Sequence, residues 1–252
     1  MRVPSGNHLM ILTLGAFVVF GMISCGLSDR ELWEKEIRDG SKLMLEPRDY
    51  KDAEIHLKNA LDIARRIGAA DGEELESLTL PVYWNVLLRL EKWSDAELLL
   101  RRNIELDRAL HGPDDRDLAY PIGSLAGLLA DQQRFPEAKP HFVESLRIEQ
   151  LNNSSKSFSI ADLELGLAEV EIALGDSSTG DSLYLHALSI YRTARHPDIR
   201  YQKALESYNA FLRTTSRWAE SKYVESELDS VARNIEARKR NRSREVSNSS
   251  EN

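Results

Sequence analysis

Four stretches of the chain repeat one alternation of small and large positions. They are YKDAEIHLKNALDI at 50–63, WSDAELLLRRNIEL at 93–106, FPEAKPHFVESLRI at 135–148 and SSTGDSLYLHALSI at 177–190, offset by 43, 42 and 42 residues. An aromatic residue opens the first three. A small residue follows three positions on, as Ala53, Ala96, Ala138 and Gly180, and a large one four later, as Leu57, Leu100, Phe142 and Tyr184. Three residues further come Ala60, Asn103, Ser145 and Ala187. Spacings of three and four put these side chains on one helical face. Alternating small and large residues on that face lets neighbouring helices approach closely and interlock.

A second amphipathic stretch precedes three of these: LTLPVYWNVLLRL at 78–90, LAYPIGSLAGLLAD at 118–131 and IADLELGLAEVEIAL at 160–174. Leu125 and Leu129 fall in register with Tyr83 and Leu87 and with Leu167 and Glu171. The small position is Ala126 or Ala168, but Trp84 in the first, where a core substitution is expected. Each unit is therefore predicted to be two antiparallel helices whose faces need neighbours to bury them. The first unit opens with a helix from about Asp29 to Leu45, ended by the turn Glu46-Pro47-Arg48-Asp49. The last is degenerate, with helices at Tyr201–Arg213 and Trp218–Arg240 forming a capping hairpin. Gly68–Ser77, carrying Glu73, Glu74 and Glu76, reads as an acidic loop, and Asn152–Ser159 as a polar one.

These residues resemble the tetratricopeptide repeat, and the 42-residue period is similar to its kinesin-light-chain type. The loop Ala109-Leu110-His111-Gly112-Pro113-Asp114-Asp115 and the opening Arg134-Phe135-Pro136-Glu137-Ala138 carry the likeness. Trp84, Glu171 at an aromatic position and Asn103 where Ala is usual depart from it. The resemblance implies an all-α, right-handed superhelical solenoid of about five antiparallel helix pairs over residues 32–240. A polar, disordered tail is expected at 241–252, beyond the basic run at Arg238, Lys239 and Arg240. It also implies a concave groove lined by first-helix residues. In register these are Leu78, Pro81, Asn85 and Arg89; Tyr120, Gly123, Gly127 and Asp131; and Asp162, Leu165 and Glu169. Asn85 can bond a peptide backbone and Arg89 a carboxylate. Tyr120 offers a flat contact with a polar tip. Asp131, Asp162 and Glu169 favour a partner with a basic segment.

The chain's start has a different character. Leu9 to Ile23 is fifteen residues without a charge, a helix of about 22 Å against a ~30 Å hydrocarbon core, and so suits a signal peptide better than a span. It ends at the only cysteine, Cys25. Met22-Ile23-Ser24-Cys25 resembles a bacterial lipobox, which implies a signal at residues 1–24, lipidation of Cys25 and a short tether at 25–31. The expected location is the bacterial cell envelope, lipid-anchored at the outer membrane facing the periplasm. A secreted or inner-membrane-anchored protein is the alternative.

Charge and motifs narrow the function. Asp and Glu outnumber Lys and Arg by 41 to 33, so a nucleic-acid partner is not expected. A single cysteine cannot form an internal disulfide. No GxGxxG, P-loop, GxSxG, HExxH or CxxC motif is present, so no enzyme, cofactor or metal is expected. His56 and His141 occupy equivalent structural positions. His111 lies in a loop near Asp114, Asp115 and Asp117, one of which is positioned to cap the next helix. The expectation is a membrane-anchored interaction scaffold that binds a protein or peptide in its concave groove. The alternative is a structural subunit of a cell-envelope or secretion assembly that uses convex or terminal surfaces.

Overall fold

The computed structural model describes residues 27–45, 48–152, 157–193 and 199–249. The described residues form ten α-helices in five antiparallel pairs, with no strand among them. The pairs are α1 (Asp29–Leu45) with α2 (Tyr50–Ile67), α3 (Ala69–Arg89) with α4 (Trp93–His111), α5 (Ala119–Asp131) with α6 (Phe135–Asn152), α7 (Phe158–Ala173) with α8 (Ser177–Arg192), and α9 (Ile199–Thr214) with α10 (Trp218–Ser249). A 3₁₀ turn, Arg116–Leu118, leads into α5. Each helix packs on its neighbours in the chain, while α1 also touches α3 and α5 touches α7. The result is an all-α solenoid stacked in chain order.

The helix ends follow from local chemistry. The carboxyl of Asp49 accepts from the Asp52 N–H at 3.2 Å and that of Asp176 from the Thr179 N–H at 3.0 Å, capping α2 and α8. Asp115 takes the Asp117 N–H at 2.9 Å and starts the 3₁₀ turn. Gly112 closes α4 at φ 95°, a left-handed conformation that costs a residue without a Cβ little.

The repeating frame is the core. Ala53, Ala96 and Ala138 are fully buried, as are Leu57 and Leu100, with Phe142 and Tyr184 nearly so. Gly180 is buried where α8 meets α7: a Cβ there would lie 2.5 Å from Ile172 Cγ1 and 2.9 Å from the Ala168 carbonyl oxygen. Ser145 donates to the Ala119 carbonyl at 2.7 Å, tying α6 to α5. Trp84 is buried and tilts against Tyr120 with ring centroids 5.2 Å apart, as a core substitution requires. Glu171, buried at an aromatic position, accepts from Lys139 Nζ at 2.9 Å.

Three expectations are corrected. Gly68–Ser77 is not a loop. Gly68, at φ 65°, ends α2, and α3 starts at once from Ala69. Asp71 favours its positive amino end, and Leu75 and Glu76 are buried. The polar tail also differs: α10 runs through residue 241 to Ser249, in a stretch whose Arg and Glu residues favour helix. At the other end α1 begins at Asp29, the start predicted for the first helix, so the tether expected at 25–31 ends before it.

The fourth correction concerns membrane attachment. No helix of the described residues is long and apolar enough to cross a membrane. Residues 1–24 and Cys25 lie outside the described residues. The membrane-anchored, lipidated reading is therefore replaced by that of a helical scaffold with no assigned attachment.

Candidate functional site

The first helices of neighbouring pairs approach one another: α1 touches α3 and α5 touches α7, and Tyr120 of α5 reaches Trp84 and Asn85 of α3. Of the predicted residues, α3 presents Leu78, 55% exposed, then half-buried Asn85 and exposed Arg89. Helix α5 presents Tyr120, 60% exposed, and Asp131. Asn85 Nδ2 donates to the Pro81 carbonyl at 2.8 Å, one turn back, and to the Tyr120 hydroxyl at 3.3 Å, linking α3 to α5. On α5, Gly127 has open space where a Cβ would sit.

Two depressions flank this link. A cavity of about 280 Å³ is lined by Asn85, Leu88 and Arg89 of α3, Trp93 of α4, and Leu128 and Asp131 of α5. A larger one, about 410 Å³, opens where α3, α4 and the 3₁₀ turn meet α5. Leu78, Pro81 and Tyr120 form its apolar side, and Ser77, Asn103, Asp107, His111 and Asp117 its polar side. Asn85, Arg89 and Asp131 thus share one depression, while Leu78 and Tyr120 share the other.

The remaining two predicted residues stand apart. Asp162 accepts a hydrogen bond from the Tyr191 hydroxyl and lies 3.6 Å from Arg200, so its charge is already engaged within the fold. Burial pushes the Glu169 carboxyl above its ordinary value; a Ser207 hydrogen bond opposes this, and the charge of Asp131 adds to it. Burial likewise raises Asp131.

Asp107 is a site residue that the repeat register does not single out. It is buried, takes hydrogen bonds from the Ser77 hydroxyl and from Asn103 Nδ2 (2.7 Å), and is pushed up chiefly by burial. The available signal was Asn103 itself, a polar group at a small position one turn away. Among the described residues no cluster of three or more His, Cys, Asp or Glu is placed to hold a metal ion.

No protein-family model matches the chain, and no curated protein matches it. Solved structures match its fold. The apo form of RapI superposes with a TM-score of 0.71 at 13% identity, covering 81% of this chain and 72% of that one. A Rap protein complexed with Competence and Sporulation Factor gives 0.64 at 14%, covering 84% and 57%. The putative kinesin light chain of Podosopora anserina, with nearly identical TPR-like repeats, gives 0.64 at 11%, covering 81% and 95%. At such identities the likeness establishes a shared fold, that of TPR-like helical repeat proteins.

Proposed function

We propose that the chain is a non-catalytic repeat scaffold, of the kinesin-light-chain type by its 42-residue frame, that binds a protein or peptide segment across the α3–α5–α7 face. The observation that carries this reading is the pair of adjoining depressions bridged by Asn85 and Tyr120. Together they offer a bound segment two places to seat side chains. Exposed Leu78, Trp93 and Tyr120 supply apolar area, and Arg89 a forked donor for a carboxylate. Aromatic and Arg residues beside such recesses are the usual carriers of binding energy. A Rap protein of this fold, solved complexed with Competence and Sporulation Factor, supports the reading by analogy of fold.

The test is affinity purification with the Arg89→Ala/Tyr120→Ala double variant. Loss of a specific partner by at least about tenfold is expected, with an unchanged helical circular dichroism spectrum. A partner held equally well by the folded variant overturns the assignment of this face.

A second reading is a structural subunit of a larger assembly that docks through a terminal surface. It is favoured by Trp218 and Tyr223, 56% and 68% exposed on the final helix α10. Under that reading Tyr223→Ala, and not the α3/α5 variant, dissociates the assembly.

A further inference from the structure

Three units place Ala or Ser at the last small position of the second helix; the unit formed by α3 and α4 places Asn103. Asn103 is fully buried and lines the 410 Å³ cavity. Its Nδ2 donates to Asp107 Oδ2 at 2.7 Å, and the Ser77 hydroxyl donates to Asp107 Oδ1. That bond sets the amide's orientation, since a flipped amide would bring two acceptors together. The Asn103 Oδ1 atom is left buried with no hydrogen-bond partner, an exception that asks for an explanation.

The chemistry around this atom is one-sided. Asp107 is buried, and among the described residues no Lys or Arg pairs with it. It lies near the carboxyl end of α4, where the helix's own partial negative charge works against it. Asp117 adds a further negative charge beside Asp107, and the cavity's lining also carries Glu149 and, of opposite sign, His111 and Arg116. Each Asp107 oxygen has spent one lone pair and keeps another. With Asn103 Oδ1 the Asn103–Asp107 pair turns three acceptor positions and no donor towards the cavity. An ammonium group is the complement: three N–H donors, no acceptor and a positive charge. Leu78 and Pro81 give the apolar wall along which an alkyl stem lies.

We infer that this cavity is a binding site for an organic ammonium group, anchored by Asn103 and Asp107. The group is either the side chain of a lysine in a bound protein segment, which rests on the scaffold reading, or a free polyamine, which does not.

The test follows the Asn103 side-chain amide by nuclear magnetic resonance in the full chain, titrated with three probes. These are spermidine, a capped Gly-Lys-Gly peptide and the same peptide with its lysine Nε-acetylated. A saturable shift with at least one ammonium probe, and none with the acetylated peptide, is expected. Tighter binding of the lysine peptide identifies a protein-borne lysine; tighter binding of spermidine identifies a free amine. Asp107→Asn is expected to weaken binding by at least about tenfold, the loss of a charge-assisted contact. It is also expected to raise the thermal unfolding midpoint, since burial disfavours the charge it removes. Asn103→Ala restores the residue that two other units carry, so it is expected to fold, and its binding is read from the Ser77 and Asp107 backbone amides. No saturable shift with either ammonium probe, an equal response to the acetylated peptide, or undiminished binding by Asp107→Asn overturns the inference. Failure of these probes does not overturn partner capture by the α3–α5–α7 face, which the Arg89→Ala/Tyr120→Ala variant tests separately.

Discussion

Replacing Phe142 with alanine is expected to destabilise the protein by about 3–5 kcal/mol and to split its unfolding into two steps. Phe142 is 4% exposed, and its ring packs on the bare backbone of α7 at Gly166. A Cβ on Gly166 would lie 2.5 Å from Phe142 Cζ and 2.6 Å from Cε1, so ring and glycine form a single contact between the third and fourth pairs. A solenoid's stability is the sum of its units and the interfaces between neighbours. Against a total of about 5–15 kcal/mol, a loss of that size at one interface weakens the coupling between the two ends. Trp33, Trp84 and Trp93 lie before that interface and Trp218 after it, so fluorescence weights the amino-terminal half while circular dichroism reports all helices. Urea unfolding followed by both probes is expected to give coincident curves for the wild type and separated curves for Phe142→Ala. Coincident curves with a loss below about 1 kcal/mol would contradict the packing described.

The second large effect is expected at Glu76. This buried carboxylate on α3 lies 3.0 Å from Arg65 Nη2 of α2 and 3.1 Å from Arg102 Nη2 of α4, tying the first two pairs together. Burial pushes its pKa up, but the hydrogen bonds and charges of Arg102 and Arg65 outweigh that, and the carboxyl sits below its ordinary value of 4.5. Removing both arginines strands the charge, and Arg65→Ala/Arg102→Ala is expected to cost about 3–5 kcal/mol at neutral pH. Glu76→Gln is expected to cost much less, because both guanidiniums are partly exposed and can turn to water.

The pH dependence separates this mechanism from lost packing. In the wild type the depressed folded pKa contributes stability that is present above 4.5 and is lost as pH falls through the folded value. In the double variant burial acts alone and raises the folded pKa. That penalty applies above the raised value and disappears as pH falls through it. The gap in stability between the two proteins is therefore expected to narrow from pH 7 towards about pH 4.5 in urea titrations. A gap that stays constant over that range assigns the loss to packing.

Much of the fold was legible because the repeat writes its core at regular intervals. The predicted starts Tyr50, Trp93, Phe135 and Ser177 are the starts of α2, α4, α6 and α8. The small positions Ala53, Ala96, Ala138 and Gly180 are buried as their spacing requires. The start of α3 was not legible. Its first turns are acidic and carry no repeat signature, and only the tertiary burial of Leu75 and Glu76 reveals that they are helical.

The candidate site was legible in part. Register placed Leu78, Asn85, Arg89, Tyr120 and Asp131 on one face, and the structure gathers them around two adjoining depressions. Asp162 and Glu169 share that register but answer to partners on other helices, Tyr191 and Arg200 in one case and Ser207 in the other. Long-range pairing of this kind leaves no periodic trace. Asp107 was missed for the same reason, since its role depends on Ser77, thirty residues earlier.

The central claim is that the α3–α5–α7 face holds the partner. It is tested most directly by photo-crosslinking in cells that natively express the protein, with a photoreactive residue placed at Tyr120, at Leu98 or at Tyr223. All three are exposed, on α5, α4 and the terminal helix α10 respectively. The account predicts one specific adduct from Tyr120, lost when Arg89→Ala is added, and none from Leu98. A specific adduct from Leu98 or Tyr223 with none from Tyr120 would contradict it and move the interaction to the second helices or the terminal hairpin.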